Sequence, residues 1–201
     1  MDLLMECASV FQNLMNYQYR FTLGRKGKLK EITLGFSETD FHHLVGLHKL
    51  KDTEVARANR SAVFQSILSG RITYATIAKS DFMEEILSRL QTFPNLETLL
   101  DHDQLVFRYN KKVYPYSSIE SEFLLKMGDG TILDITFLFL DKAEQGIYYC
   151  RSFFPMERTD YTKKQMQYAL LKKEKIDMRT GAITVQYDRL TPKNNPMPDF
   201  I

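Results

Sequence analysis

The spacing of apolar residues changes twice along the chain. Apolar residues recur at every third or fourth position over residues 3–15, which predicts an amphipathic helix. Residues 19–36 instead alternate apolar and polar positions around the turn GRKGK, which predicts a β-hairpin. Helical spacing returns over residues 37–100, and beyond residue 100 runs of β-branched and aromatic residues predict strands.

The local signals divide these regions into elements. Ser37 and Asp40 are spaced as an N-cap and its capping-box partner, so a helix is expected to begin there and to run through residues 41–50. The further predicted helices cover residues 53–68, 72–79, 81–92 and 160–175, with Gly70 and Pro94 as stop signals. The predicted strands cover residues 104–109, 122–127, 132–140, 147–154 and 182–187, with a hairpin signal at Asp129-Gly130.

The order of elements predicts the α+β class, because the helices are segregated from strands that can pair as antiparallel neighbours. The length fits a single domain over residues 1–190. Residues 191–201 are rich in Pro and Asn and are expected to form an irregular C-terminal tail.

Composition and charge narrow the functional classes. The 201 residues are 44% hydrophobic and 26% charged, which is ordinary globular usage and excludes the disordered class. The formal net charge is only +2, so attraction to nucleic acid has to come from local patches. Cys7 and Cys150 are expected to be free thiols, and we find no signal peptide or membrane-spanning run. We therefore expect a cytoplasmic protein with no membrane partner.

Several well-defined motifs are absent from the sequence. It has no Walker A loop and no GxGxxG after a strand, which argues against nucleotide-cofactor folds. It has no HExxH motif and no Cys/His cluster, which argues against zinc, and no GxSxG elbow. We therefore predict neither a cofactor nor a metal site.

Three of the four histidines lie within residues 41–50. If that segment is one helix, His48 falls inside its apolar face, His43 at the edge and His42 on the polar side. His48 is then a core residue and His42 a solvated one, whereas a half-buried edge position is the setting that moves the pKa of His43 near neutrality. Gly46 indicates close packing against a strand or close approach of a ligand.

Residues 151–175 form a strongly basic segment. They hold two Arg and five Lys against three acidic residues, a net charge of +4 that exceeds the total of the chain. Residues 20–30 add five cations and no acid. Both patches place aromatic residues among cations, as sites for single-stranded RNA do, although solvated surfaces have the same composition. The helix predicted from residue 160 would offer unsatisfied backbone N–H groups to an anion.

Two sequence stretches resemble a known family. FHHLVGLHKLKD at residues 41–52 and SFFPMERTDYTKKQMQYALLKKEKI at residues 152–176 resemble the phage-associated barnase–EndoU–colicin–RelE-like (BECR) nucleases, their fourth group in particular. The shared patterns are F-x-H-L-x-G-L-x-K-L early and S-F-F-P…D-Y-T-x-x-Q…L-L-K-K-E late. The resemblance extends over roughly residues 11–176.

The resemblance implies a fold in which a helical part packs on an antiparallel sheet of four or more strands. It implies a phage-associated ribonuclease with a toxin-like role. The helices over residues 53–100 are a departure, because they are long for a compact RelE-like toxin. This helical insert would be a lid, an inhibitor site or a dimer surface.

The resemblance also joins the histidine segment and the basic segment into one expected site. Such a site would cleave RNA by attack of the ribose 2′-OH without a metal. We assign His43 as the base or acid and Tyr161 as its partner acid. The other candidates are Lys49 and Arg151 as charge-stabilising residues, Ser152 and Thr162 as phosphate ligands, and Lys163 and Gln165 as further substrate-binding residues.

Two alternatives to an enzyme remain open from the sequence. In the first, both basic patches hold RNA or DNA without cutting it and the histidines are structural. In the second, the chain is a phage accessory protein whose insert binds a host protein. RNA is the expected partner, and an antitoxin or host protein would be a further one.

Overall fold

A computed structural model of the chain describes residues 2–102, 104–143 and 146–192. Helix α1, Leu3–Leu14, forms as predicted, and the Asp2 carboxylate caps it by accepting the N–H of Met5 at 3.0 Å. The predicted hairpin is also confirmed, as β1 (Tyr17–Arg25) paired antiparallel with β2 (Lys28–Leu34).

Five more helices and six more strands follow in the described part of the chain. The helices are α2 (Glu38–Leu44), α3 (Arg60–Leu68), α4 (Tyr74–Ile77), α5 (Glu84–Thr92) and α6 (Leu96–Asp101). Single 3₁₀ turns lie at Leu47–Lys49, Glu54–Ala56, Phe93–Asn95 and Lys111–Val113. The strands are β3 (Leu105–Arg108), β4 (Phe123–Met127), β5 (Thr136–Lys142), β6 (Tyr148–Pro155), β7 (Met166–Asp177) and β8 (Ile183–Asp188).

The strands form one sheet in the order β1-β2-β6-β5-β4-β3-β7-β8, and β1 also pairs with β7. That extra pairing closes seven strands into a ring, and β8 lies outside it on β7. The predicted fold, a helical part on an open sheet of four or more strands, is therefore wrong. The structure is a closed seven-stranded barrel with few helices, because the sheet contains three long-range pairings, β1–β7, β2–β6 and β3–β7, that no local pattern reveals.

The predicted helix over residues 160–175 is also wrong, because strand β7 occupies most of it. The sequence MQYALLKKEKID consists largely of good helix formers, so local propensity favours a helix. In the structure β7 pairs with β1, β3 and β8, and these ladders override propensity. The buried Lys173 ammonium also donates to the carbonyls of Leu100 and Asp101 at 3.0 and 3.1 Å, which ties β7 to the end of α6.

The helix predicted through residues 41–50 ends earlier. The Ser37 N–H donates to the Asp40 carboxylate at 3.0 Å, which confirms the predicted start. Helix α2 then stops at Leu44, and Gly46 adopts a left-handed φ of 89° before the 3₁₀ turn Leu47–Lys49. A Cβ on Gly46 would lie 2.7 Å from Ile86 Cγ2, so this glycine packs closely against α5 rather than against a strand.

Smaller differences concern the ends of elements. Helix α5 ends at Thr92, as predicted from Pro94, which lies in the 3₁₀ turn that leads into α6. The hairpin between β4 and β5 is confirmed, but residues 128–135 form a longer loop in which the Asp129 carboxylate accepts the N–H groups of Thr131 and Ile132. The predicted tail falls almost wholly outside the described residues, since residues 193–201 are not among them. The single-domain assignment stays a prediction.

The apolar core has two parts, on opposite faces of β5. Leu138 and Leu140 join the large cluster that includes the buried residues of the helices, in which the Phe11 ring lies 5.7 Å from that of Phe41. The alternate residues Phe137 and Phe139 belong to a smaller aromatic cluster on the other face. Because side chains alternate between the two faces of a strand, β5 contributes to both parts of the core.

Both cysteines, Cys7 and Cys150, are unbridged as predicted, and both are buried. None of the helices in residues 2–102, 104–143 and 146–192 combines the length and apolar character needed to cross a membrane.

We predict that Gly46→Ala destabilises the protein by about 2–5 kcal/mol. An alanine at positive φ costs about 1–2 kcal/mol, and the clash with Ile86 adds a packing cost of about 1–3 kcal/mol. Urea unfolding at neutral pH measures the loss.

Gly27→Ala is the matched control. Gly27 has a similar φ of 73°, but a Cβ there would meet nothing within 4 Å, so only the conformational cost of about 1–2 kcal/mol is expected. Equal losses in the two variants would show that the contact with Ile86 contributes nothing.

Candidate functional site

A cleft of about 540 Å³ opens beside the smaller aromatic cluster, because Ile119, Phe154 and Tyr161 of that cluster line it. Four parts of the chain line it. They are the end of α2 with its following turn (residues 43–49), helix α5 (residues 85–89), the loop of residues 116–119, and β6 with its following loop (residues 151–161). The cleft therefore gathers side chains that are far apart in sequence.

Two histidines lie face to face on one wall of the cleft. The rings of His43 and His48 stack with centroids 4.0 Å apart and planes 14° apart. The left-handed turn at Gly46 produces this pair, because it ends α2 and folds the next residues back beneath His43. His48 Nδ1 is buried and has no hydrogen-bond partner among the described residues.

The environment holds both imidazoles in the neutral form at physiological pH. Burial, together with the charge of Arg151, lowers the pKa of His43 to about 4. Burial, together with His43, lowers the pKa of His48 to about 3. Both rings are therefore neutral at physiological pH, and each has one N–H donor and one ring nitrogen that can accept a proton.

Arginines supply the positive charge of the cleft. Arg89 on α5 is half-buried, and its guanidinium carbon lies 5.2 Å from the centre of the Phe154 ring. Burial lowers the pKa of Arg89 to about 10, so it remains a cation at neutral pH. Arg151 on β6 is exposed at the cleft. A half-buried and an exposed guanidinium thus line the same space.

A β-bulge explains how Arg151 reaches the cleft. Cys150 pairs with Leu140 and Ser152 with Phe139, so the register leaves Arg151 as an extra residue on β6. In a regular strand Arg151 and Ser152 would point to opposite faces, but here both line the cleft.

Four cations and two carboxylates line the cleft. The carboxylates have partners: Glu85 lies 3.8 Å from the Lys49 ammonium, and Glu157 accepts the Ser88 hydroxyl at 2.9 Å. The net charge is therefore positive, which suits a phosphodiester. Within the described part of the chain, no group of three or more His, Cys, Asp or Glu is arranged to hold a metal ion.

Tyr161 faces the cleft from the aromatic cluster. Its ring makes edge contacts with Phe154 and Phe139, with centroids 5.6 Å apart in each case, and lies 5.0 Å from the ring of Tyr114. With the Phe137 ring at 5.8 Å, four rings fix its position, which is the support that a reacting hydroxyl needs.

The structure brings five of the eight predicted site residues together. His43, Lys49, Arg151, Ser152 and Tyr161 all line the cleft.

The other three predicted site residues, Thr162, Lys163 and Gln165, are not among the residues that line the cleft. The Thr162 hydroxyl donates to Asp160 at 2.6 Å, and Gln165 accepts the N–H of Asn110 at 2.8 Å. The helix start that motivated them does not exist, because a turn precedes β7 there.

Comparison with models of protein families identifies the family of this chain. The family model described as phage-Barnase-EndoU-ColicinE5/D-RelE like nuclease4 matches residues 3–190. The chain belongs to this family. It is thus a nuclease of the BECR type, and the resemblance noted in the sequence is confirmed. Comparisons with curated proteins and with solved structures find no significant match.

Two predictions about this nuclease's other histidines are corrected. His42 is buried rather than solvated, and its Nε2 lies 2.8 Å from the Val55 carbonyl oxygen. His48 is a half-buried residue of the cleft rather than a core residue. His48 was misplaced because the helical wheel assumed a helix that continues past Gly46, whereas His42 lies within α2 and is buried against the segment that carries Val55.

The second basic patch, residues 20–30, is not part of the lining of the cleft. Arg20 forms an ion pair with Glu174 at 2.8 Å, and Lys30 with Glu122 at 2.7 Å. Arg20 is thus paired with a carboxylate of the neighbouring strand β7, and Lys30 with one that directly precedes β4.

Sequence reasoning missed Arg89 and Tyr116. A wheel of residues 81–92 would have found Arg89, because it lies three positions after the buried Ile86 and beside the buried Leu90, an edge position like that assigned to His43. The sequence around Tyr116 carries no such signal. Arg89 thus places a positive charge from the predicted helical insert in the cleft of this BECR nuclease.

We predict that acid destabilises the protein between pH 6.5 and about pH 4. Both His43 and His48 have a lower pKa when folded than the 6.5 of a solvated histidine, so the unfolded chain takes up their protons first as the pH falls. Their stabilisation is complete above pH 6.5 and is lost progressively below it, down to about pH 4 for His43 and about pH 3 for His48. Urea midpoints across this range measure the effect.

The double variant His43→Gln, His48→Gln is expected to lose less stability over that range than the unaltered chain. Asp40, whose pKa burial raises to about 6, titrates in both proteins and cancels in the comparison. Identical slopes in the two proteins would show that the histidine pair does not carry the acid sensitivity.

Proposed function

We propose that the cleft is the active site of a metal-independent ribonuclease that cleaves RNA by attack of the ribose 2′-OH. One observation carries this proposal. A neutral histidine, a tyrosine hydroxyl and the guanidinium groups of Arg89 and Arg151, from three distant parts of the chain, line one positive cleft. Those are the groups that phosphodiester transfer needs.

The reaction balances with these groups alone. The ribose O2′ bonds to phosphorus, and the bond from phosphorus to O5′ breaks. A base takes the proton from O2′, and an acid gives a proton to O5′. The products are a 2′,3′-cyclic phosphate and a free 5′-hydroxyl. DNA lacks the 2′-OH, so this scheme acts on RNA only.

His43 is suited to the role of base rather than acid. Its lowered pKa leaves the ring unprotonated and ready to accept the O2′ proton. A pKa of about 4 makes a weak base, but the negative charge of a bound phosphodiester raises it toward neutrality. The stacked His48 ring fixes the plane of His43.

Tyr161 is our candidate for the acid, because it lines the same cleft and its phenol O–H is a hydrogen-bond donor. Arg151 and Arg89 are placed to stabilise the extra charge on the phosphorane, with Lys49 as a further cation. The buried Ser152 hydroxyl can donate to a phosphate oxygen. Each role in the scheme thus has a residue of the cleft assigned to it.

We extend the proposal to a toxin-like role, because uncontrolled cleavage of cellular RNA stops growth. The phage-associated family description agrees with that role. We expect expression of the chain to arrest growth, and substitution of His43 to relieve that arrest.

We predict that His43→Ala lowers cleavage of single-stranded RNA by about 10²–10⁴-fold, the usual contribution of a positioned base. Cleavage by the unaltered chain is expected to persist with a strong chelator present. It is expected to fail at a linkage whose ribose is 2′-deoxy. Gel analysis of an end-labelled oligoribonucleotide measures the effect of the substitution, of the chelator and of the 2′-deoxy linkage on cleavage.

His102→Ala is the control, since His102 is exposed and is not a cleft residue. Full activity of His43→Ala would remove His43 from the mechanism. Loss of activity with the chelator, restored by added divalent metal, would end the metal-independent scheme.

We also predict that Arg151→Ala lowers kcat/KM by about 10²-fold, as removal of one charge-stabilising donor does. Arg151→Lys is expected to recover only part of the loss, because lysine lacks the bidentate fork. Arg151 is exposed, so the fold should not change.

Lys142→Ala removes the same charge from an exposed site that is not part of the cleft. We expect it to stay within about twofold of the unaltered chain. Losses as large as those of Arg151→Ala would show that overall charge, rather than the cleft, governs activity.

A further inference from the structure

An unexplained aromatic residue lies at the cleft. Tyr116 lines it together with His43 and Arg151, yet its side chain is fully exposed to water. Other tyrosines of the same region are packed: Tyr114 and Tyr161 lie ring against ring, 5.0 Å apart. An aromatic face left open beside a positive cleft can receive a planar ligand.

The loop that carries Tyr116 is anchored next to the candidate acid. The hydroxyl of Tyr114 donates to the carbonyl oxygen of Asp160 at 2.7 Å and to that of Lys163 at 3.2 Å. The Ser117 N–H in turn donates to the Tyr114 carbonyl at 3.0 Å. Tyr116 is therefore held between two fastened residues, and little ordering is needed when a ligand binds.

The chemistry of the cleft suggests what this ring contacts. Cations hold a phosphate, and the nucleotides on either side of that phosphate carry their bases outward from it. An exposed aromatic ring at the edge gives such a base a stacking surface. Bases in a duplex have both faces covered by their neighbours, so only an unpaired strand can use this surface.

We propose that Tyr116 stacks on an unpaired base next to the cleaved linkage, which makes single-stranded RNA the substrate of the nuclease. This inference rests on the proposed function, since it places the phosphate in the same cleft. Stacking of this kind tolerates any base, so Tyr116 selects strand state rather than sequence.

A binding assay tests the proposal without requiring cleavage. The probe is a fluorescein-labelled oligoribonucleotide with 2′-O-methyl riboses, which cannot undergo 2′-OH attack. Tyr116→Ala is expected to weaken binding of the single strand about tenfold, within the range measured for loss of base stacking. Tyr116→Trp is expected to retain it, because any large aromatic face will stack. Fluorescence anisotropy at fixed salt gives the dissociation constants.

Leu29→Ala is the matched control, since it truncates another exposed apolar side chain and Leu29 is not a cleft residue. An abasic scan of the probe sharpens the test. At one position, removal of the base should abolish the difference between Tyr116→Ala and the unaltered chain. Annealing the probe to its complement should do the same.

The outcomes separate the two proposals. Equal binding by Tyr116→Ala and the unaltered chain overturns the stacking role, whether or not RNA is cleaved. If Tyr116→Ala weakens binding of the single-stranded probe and of the duplex probe equally, the preference for an unpaired strand is overturned. If unmodified RNA stays intact while Tyr116→Ala weakens binding and the abasic scan finds its position, the nuclease mechanism fails and the stacking site stands.

Discussion

The pairing of β1 with β7 is the constraint on which the rest of the structure depends. It joins Tyr17–Arg25 to Met166–Asp177 over eight residue pairs and closes seven strands into a ring. Closure removes the open edges that β1 and β7 would otherwise expose to other chains. It also fixes β6 between β2 and β5, and β6 carries one wall of the cleft.

The cleft depends on two local irregularities set on that frame. The left-handed turn at Gly46 folds His48 beneath His43, and the bulge on β6 turns Arg151 to the same side as Ser152. Each departs from the regular continuation of its element. Backbone irregularities at a functional site are common because a regular helix or strand cannot point successive side chains at one place.

The histidine pair illustrates how stability and chemistry are coupled. Stacking and burial keep both rings neutral, which stabilises the fold above pH 6.5 and at the same time supplies an unprotonated base. The nearby guanidinium of Arg151 contributes to both effects, because a positive charge disfavours imidazolium. The same positive charge attracts a phosphodiester.

The sequence by itself determined the local parts of this protein. Helical spacing of apolar residues was sufficient to predict α1, and turn residues with short apolar runs were sufficient to predict the first hairpin and β8. These signals act within a few residues. Motif spacing was sufficient to predict the family and five residues that line the cleft, His43 and Tyr161 among them. The tertiary structure alone decided the closed barrel, the strand at β7 and the presence of Tyr116 in the cleft. Those depend on contacts between residues about 30 to 150 positions apart, and there pairing and burial outweigh the propensity of any single segment.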